Sequence, residues 1–176
     1  ITPYGRGCEH QIDLTDYASI LQGEVELRMF IDTWGTGGWE VHLRLQYEPG
    51  TPDYAYSHIE PLWDGTFDFG NPINRQPLDT LDYAFPAMAQ TAKLKVATTG
   101  HGWGSNNFQN AAEFYEATHY FNINGARTFT QHLWMECDPN PDDCQPQSGT
   151  YRFPRAGWCP GALARLYEYD FSPYIG

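Results

Sequence analysis

The stretch that decides the fold is HYFNINGARTFTQHLW, residues 119–134. At its centre lies Asn124-Gly125, a pair that favours the type I′ turn of a β-hairpin because both positions there need a positive φ. Strand-like segments flank the turn at residues 119–123 and 128–134. The stretch therefore predicts two antiparallel strands joined by a two-residue turn.

Further strand patterns surround this hairpin. Apolar and polar side chains alternate over residues 25–32 and 39–47, and the Gly-rich segment 35–38 between them has the composition of a turn. A second hairpin is predicted there, and one more strand over residues 92–96. Only residues 109–118 suit a helical turn or two. Short strands, many turns and almost no helix predict an all-β sandwich or jelly roll.

The strand periodicity fades between residues 49 and 86, where prolines are frequent. We expect a linker with one or two short strands in this stretch, and the domain boundary. The expected division is the end of a first domain at residues 1–60, a linker or boundary at 61–90 and a second domain at 91–176.

A short internal repeat supports two related domains. Asp13-Leu14-Thr15-Asp16-Tyr17 recurs as Asp170-Phe171-Ser172-Pro173-Tyr174. Chance or a shared turn type explains five residues equally well. If the copies mark equivalent points, however, the chain is expected to be an internal fragment in which both domains are incomplete.

The charge of the chain excludes some partners. It has 22 Asp and Glu against 10 Lys and Arg, a formal net charge of −12. This surface repels nucleic acid and anionic membranes, so neither is an expected partner. No run of about 18 apolar residues occurs, so no membrane-spanning segment is predicted.

The four cysteines are Cys8, Cys137, Cys144 and Cys159. Because none of them forms a CxxC motif, disulfides in an oxidising compartment are favoured over zinc or a redox site. The chain is therefore expected to be secreted or periplasmic. The sequence leaves all three possible pairings open.

Four blocks, in order along the chain, resemble the peptide N-glycosidase F family. The fourth, Arg155-Ala156-Gly157-Trp158-Cys159-Pro160-Gly161, is the most specific. The other three are residues 1–4 with 12–17 and 32–34, residues 50–57, and residues 102–124.

The resemblance implies two antiparallel jelly-roll β-sandwiches, each of an eight-stranded type, packed side by side around a cleft. Enzymes of the family hydrolyse the amide that joins N-acetylglucosamine to asparagine, and they need no metal or cofactor. The expected partner is an N-linked glycoprotein or glycopeptide, and the protein is expected to be a monomer. The family's main catalytic residue, an aspartate beside a tryptophan, is expected upstream of Ile1, so we expect this chain alone to be inactive.

The resemblance also implies roles for three charged residues. Glu113 matches a cleft carboxylate, which we expect to hold the sugar or a water molecule. Asp32 stands where the family has a glutamate, so its carboxylate is retracted by roughly 1.5 Å. Arg155 matches an arginine that orients the catalytic carboxylate or binds substrate.

Aromatic residues and one disulfide complete the implied site. Trp34, Trp103 and Trp158 lie in the same blocks and are candidates to stack on sugar rings, although core packing is an equal alternative. Cys137 and Cys159 match a family disulfide. Cys8 and Cys144 have no family counterparts.

Two other functions remain open. A glycan-binding jelly roll without catalytic activity is favoured by the Asp32 substitution. A relative of the copper-dependent monooxygenases is disfavoured, because His101, His119 and His132 form no paired metal motif.

Overall fold

The structure is a computed structural model that describes residues 8–29, 40–51, 53–68, 73, 78–102, 112–146 and 149–176. The chain divides into two compact units, one formed by Ile12–Pro61 and the other by Ile1–Gln11 with Leu62–Gly176. Among the described residues, no helix has the length and apolar character needed to cross a bilayer. The regular structure there consists of antiparallel strands and 3₁₀ turns, so the chain is of the all-β class.

The predicted hairpin around Asn124-Gly125 is confirmed. Strand β2 spans Ala117–Ile123 and strand β3 spans Ala126–Leu133 in the larger unit. Asn124 and Gly125 have φ values of 51° and 80°, as a type I′ turn requires. The register shifts between Phe121 and Asn122, which leaves one extra residue in β3.

A second antiparallel pair joins β1, Lys93–Ala97, to β4, Leu166–Asp170. The predicted strand at residues 92–96 is confirmed as β1, whereas β4 was not predicted. The side chain of Lys95 in β1 is only 19% exposed, and its ammonium lies 3.0 Å from the carboxylate of Glu168.

Aromatic rings connect the two strand pairs. The ring of Phe129 lies 5.0 Å from Tyr169 and 5.4 Å from Phe171, measured between centroids. The Tyr169 hydroxyl donates a 2.9 Å hydrogen bond to the carbonyl of Thr130 in β3. Burial raises the pKa of Tyr169, and the neighbouring Tyr167 adds to this shift.

The hairpin predicted between residues 25 and 47 is not borne out by the described part of that segment. Residues 25–29 and 40–47 form no strand, and their apolar side chains are exposed, Leu27 by 49% and Leu43 by 61%. An isolated two-stranded hairpin is marginal in water, because one apolar face without a covering layer does not offset the entropy lost on ordering. The short strands predicted in the Pro-rich stretch are likewise absent from its described residues.

The internal repeat is a shared turn. Both copies form a 3₁₀ turn, Thr15–Tyr17 in the smaller unit and Ser172–Tyr174 in the larger one. In each copy the first aspartate accepts a hydrogen bond from the backbone N–H two residues later, at 2.8 Å for Asp13 and 2.9 Å for Asp170. The same side-chain chemistry therefore sets the same local geometry twice.

Candidate functional site

The centre of the candidate site is the segment Arg155-Ala156-Gly157-Trp158. Its backbone joins three other parts of the larger unit. Arg155 exchanges two backbone hydrogen bonds with Met135, just after β3, at 2.8 and 3.0 Å. Ala156 donates to the carbonyl of Glu113 at 2.9 Å and accepts from the N–H of Gly100 at 2.8 Å. Backbone hydrogen bonds alone therefore hold the segment on both sides.

Two glycines permit this close approach. A Cβ atom at Gly157 would overlap the carbonyl oxygen of Thr98 and the side chain of Leu133, and the φ of Gly157 is +81°. At Gly100, a Cβ atom would overlap the carbonyl oxygen of Ala112. Only glycine fits where backbone segments approach this closely and where φ is positive.

The Arg155 guanidinium is held by three different groups. Its Nε lies 2.7 Å from Glu113 Oε1, its Nη1 donates to the carbonyl of Phe153 at 2.7 Å, and its Nη2 donates to Thr150 Oγ1 at 2.8 Å. The side chain of Arg155 is 4% exposed and that of Glu113 is 17% exposed. Burying such a pair is tolerated because hydrogen bonds replace much of the lost hydration.

The position of Glu113 follows from local structure. It lies in the 3₁₀ turn Ala112–Phe114, which is what the structure shows of the short helix predicted from residue 109 onward. Arg155 contacts one carboxylate oxygen, and within the described part of the chain Oε2 has no hydrogen-bond partner. This geometry leaves one oriented oxygen that can accept a hydrogen bond from a substrate group or a water molecule.

Aromatic rings line the same guanidinium. The Cζ atom of Arg155 lies 5.1 Å from the ring centroids of both Phe114 and Trp158, within range of a cation–π contact. The indole N–H of Trp158 donates to the carbonyl of Gly100 at 2.7 Å. The ring of His101 lies 4.8 Å from the Trp158 ring and is tilted by 32°.

Comparison with known proteins shows which family shares these features. The family model described as "Peptide-N-glycosidase F, C terminal" matches residues 70–174, which include Glu113, Arg155 and Trp158. The chain belongs to the peptide-N-glycosidase F family. It is 34% identical over 174 residues to peptide-N(4)-(N-acetyl-beta-D-glucosaminyl)asparagine amidase F of Elizabethkingia miricola. That alignment covers 92% of this chain and 49% of the relative, so the chain spans about half the relative's length. No solved structure matches.

Two disulfides connect loops of the larger unit. The bond between Cys137 and Cys159 closes the loop that leads into the family segment at Arg155, and both cysteines are 1% exposed. Cys8 and Cys144 form the other bond, which the sequence left open. His10 lies close enough to this second pair for the three side chains to hold a metal ion by distance. The sulfur atoms, however, are joined in the disulfide and are not free thiolates.

The structure describes only some of the predicted site residues. It brings Glu113, Arg155 and Trp158 together, while Asp32, Trp34 and Trp103 lie outside the described residues. The three histidines of the metal alternative contact different neighbours: His101 bonds to Thr99, His119 to Gln131 and His132 to Glu116.

Sequence reasoning missed two contributors to the site. Thr150 lies in a loop without a motif, so no sequence signal marks it as a partner of Arg155. His101 was considered only for the metal alternative, yet its ring lies 4.8 Å from that of Trp158.

Proposed function

We propose that the full-length protein containing this chain hydrolyses the amide between N-acetylglucosamine and asparagine in N-linked glycoproteins or glycopeptides. Water adds to the amide carbon, the carbon–nitrogen bond breaks, the sugar leaves as a glycosylamine and asparagine becomes aspartate. The observation that carries the proposal is the Glu113–Arg155 pair, in which Arg155 orients a carboxylate whose second oxygen has no partner among the described residues. The match to a relative named as an asparagine amidase supports it.

The proposed roles divide binding from catalysis. Glu113 holds a water molecule or a sugar hydroxyl through its available oxygen, and Arg155 fixes that carboxylate. Asp32, Trp34 and Trp103 complete the site, with Asp32 reaching the substrate through a bridging water. The principal catalytic residue is an aspartate in the part of the protein that precedes Ile1.

The wider proposal covers architecture and environment. The residues 1–60 and 91–176 are parts of two jelly rolls joined by residues 61–90, and the protein works as a monomer without a metal or cofactor. A secreted or periplasmic location is supported by the two disulfides, which persist in oxidising compartments.

Release of a glycan from a denatured glycopeptide in heavy-oxygen water tests the proposal. The full-length protein should produce free glycan and an aspartate that carries the heavy oxygen, both read by mass spectrometry. Glu113→Gln should lower the rate by about a hundredfold, because the amide neither carries the charge nor accepts hydrogen bonds as strongly. The control is Glu116→Gln, an exposed carboxylate that pairs with His132.

A glycan-binding module without catalytic activity is the second candidate. It is favoured by the shorter Asp32 at the position of the family's glutamate. The same experiment separates the two, because glycan binding without any incorporation of heavy oxygen would refute the amidase and support the binding module.

A further inference from the structure

Arg155 and Glu113 are joined by a single hydrogen bond. Nε of Arg155 donates to Glu113 Oε1 at 2.7 Å, and Oε2 has no hydrogen-bond partner among the residues that the structure describes. Arg28 and Glu26 in the smaller unit pair differently, because Nε donates to one carboxylate oxygen at 2.9 Å and Nη2 donates to the other at 3.0 Å. The chain therefore contains an arginine–carboxylate pair with one hydrogen bond and another with two.

The difference between the two pairs lies at Nη2. One N–H of Nη2 points to the same side of the planar guanidinium as the N–H of Nε, so the two nitrogens can bind both oxygens of one carboxylate. Nη2 of Arg28 does this for Glu26. Nη2 of Arg155 donates instead to Thr150 Oγ1 at 2.8 Å. The Thr150 hydroxyl is therefore the acceptor for the nitrogen that binds a second carboxylate oxygen in the other pair.

The turn that contains Thr150 holds both terminal nitrogens of Arg155. The N–H of Phe153 donates to the carbonyl of Thr150 at 3.0 Å, and the carbonyl of Phe153 accepts from Arg155 Nη1 at 2.7 Å. The Arg155 side chain is 4% exposed, so water does not readily replace these acceptors. Turning the guanidinium so that Nη2 reached Glu113 would break the contact with Thr150.

We propose that Thr150 is a positioning residue that keeps Glu113 Oε2 available to substrate by engaging Nη2 of Arg155. This inference rests on the proposed function, in which that oxygen holds a water molecule or a sugar hydroxyl. Without the Thr150 hydroxyl, a buried N–H of Nη2 would lack an acceptor, and Oε2 is the acceptor that the fork geometry offers. A substrate would then have to displace a charge-assisted hydrogen bond before it could contact Oε2.

Glycan release by the full-length protein tests the role of this hydroxyl. Thr150→Val, which replaces the hydroxyl by a methyl group, should lower kcat/KM about tenfold, mostly through a higher KM. Thr150→Ser keeps the hydroxyl and should stay within about twofold of the unmodified protein. The control is Thr128→Val, because the Thr128 hydroxyl donates to the carbonyl of Ala126 within β3.

A double-mutant cycle with Glu113→Gln separates this role from a general structural one. Glutamine has one side-chain oxygen and cannot bind both nitrogens of the fork, so adding Thr150→Val to Glu113→Gln should change the rate by less than about twofold. Three outcomes would overturn the inference: an equal loss in both backgrounds, an unchanged kcat/KM in Thr150→Val, or a loss in Thr150→Ser as large as in Thr150→Val.

A crystal structure of the full-length Thr150→Val protein gives a readout that does not depend on activity. We expect Arg155 Nη2 to lie about 3 Å from Glu113 Oε2, with the Nε contact retained. An Nη2 that is bonded to any other group, or that stays apart from Oε2, would refute the role of Thr150. If the unmodified protein releases no glycan, the proposed function fails, and this structure still decides whether Thr150 keeps the two groups apart.

Discussion

At the residue scale, Arg155 explains most of what the site can do. All three of its nitrogen atoms donate to protein groups, and two aromatic rings face the guanidinium. Its side chain is 4% exposed, which supports the proposed role of Arg155 in positioning Glu113. Glu113 is the member of the pair that solvent reaches.

Replacing Arg155 by methionine should lower the free energy of unfolding by about 3–5 kcal/mol, because the partly buried Glu113 would lose its partner. Urea unfolding followed by tryptophan fluorescence measures the change. The control is Arg165→Met, an exposed arginine over the ring of Tyr167, which should cost less than about 1 kcal/mol. Equal effects of the two substitutions would contradict the structural role given to Arg155.

Asp170 is a second residue that allows a test, because its pKa can be measured. Hydrogen bonds from the Ser172 side chain and backbone hold the pKa of Asp170 below its ordinary value. Because the pKa is lower in the folded state, the stability contributed by this turn is present above the unfolded pKa and is lost as pH falls through the folded one.

Ser172→Ala should therefore raise the pKa of Asp170 towards its ordinary value, as measured by a carboxyl titration in nuclear magnetic resonance. Ser19→Ala is the control, because its hydroxyl bonds to Ser57 in the other unit. An unchanged pKa in Ser172→Ala would show that the backbone N–H alone sets the shift.

At the scale of elements, the loop that carries Arg155 depends on close backbone packing. Gly157 and Gly149 both have positive φ, at +81° and +73°, but they differ in surroundings. A Cβ atom at Gly157 would overlap Thr98 and Leu133, whereas no described residue lies within 4 Å of one at Gly149. Substitutions at these two glycines therefore separate the effect of crowding from the effect of the backbone angle.

Gly149→Ala should cost about 1 kcal/mol from the positive φ alone. Gly157→Ala should cost about 3 kcal/mol or more, because the backbone must also move. Thermal and urea unfolding of both variants give the comparison. Similar losses at the two positions would mean that the loop relaxes freely and that Gly157 is not a packing constraint.

At the scale of the whole molecule, the two disulfides restrict the unfolded chain to different degrees. Cys137 and Cys159 are 22 residues apart, while Cys8 and Cys144 are 136 residues apart. In the chain-entropy model, these separations correspond to a stabilisation of the folded state by about 3 and about 5 kcal/mol, respectively. Each is a large share of the roughly 5–15 kcal/mol by which a domain is stable.

Replacing both cysteines of a pair by serine tests this order. The Cys8/Cys144 variant should unfold at a lower urea concentration than the Cys137/Cys159 variant. If the Cys137/Cys159 variant were the less stable one, packing inside the loop around Arg155 would outweigh the entropy of loop closure.

Features set by neighbours along the chain were predictable. The turn at Asn124-Gly125 depends on two backbone angles that those residues adopt readily, and the repeated 3₁₀ turns depend on an aspartate and the N–H two residues later. Both features form from contacts within a few residues.

The hairpin expected between residues 25 and 47 shows where local pattern is insufficient. Its alternation is clear, yet the described residues form no strand, because a half-apolar strand needs a second layer that alternation does not supply. Strand β4 shows the converse, since its partner β1 lies about 70 residues earlier and the pairing is not visible locally.

The sequence by itself determined the all-β class, the central turn and, through the blocks around Glu113 and Arg155, the family. Tertiary structure decided that these two side chains form a partly buried pair across 42 residues, that Thr150 completes it, and that the exposed His101 lies beside the ring of Trp158. The physical reason is the separation along the chain of the residues that interact. Turn geometry is set by adjacent dihedral angles, whereas burial and ion pairing depend on which distant segments the packed backbone brings together.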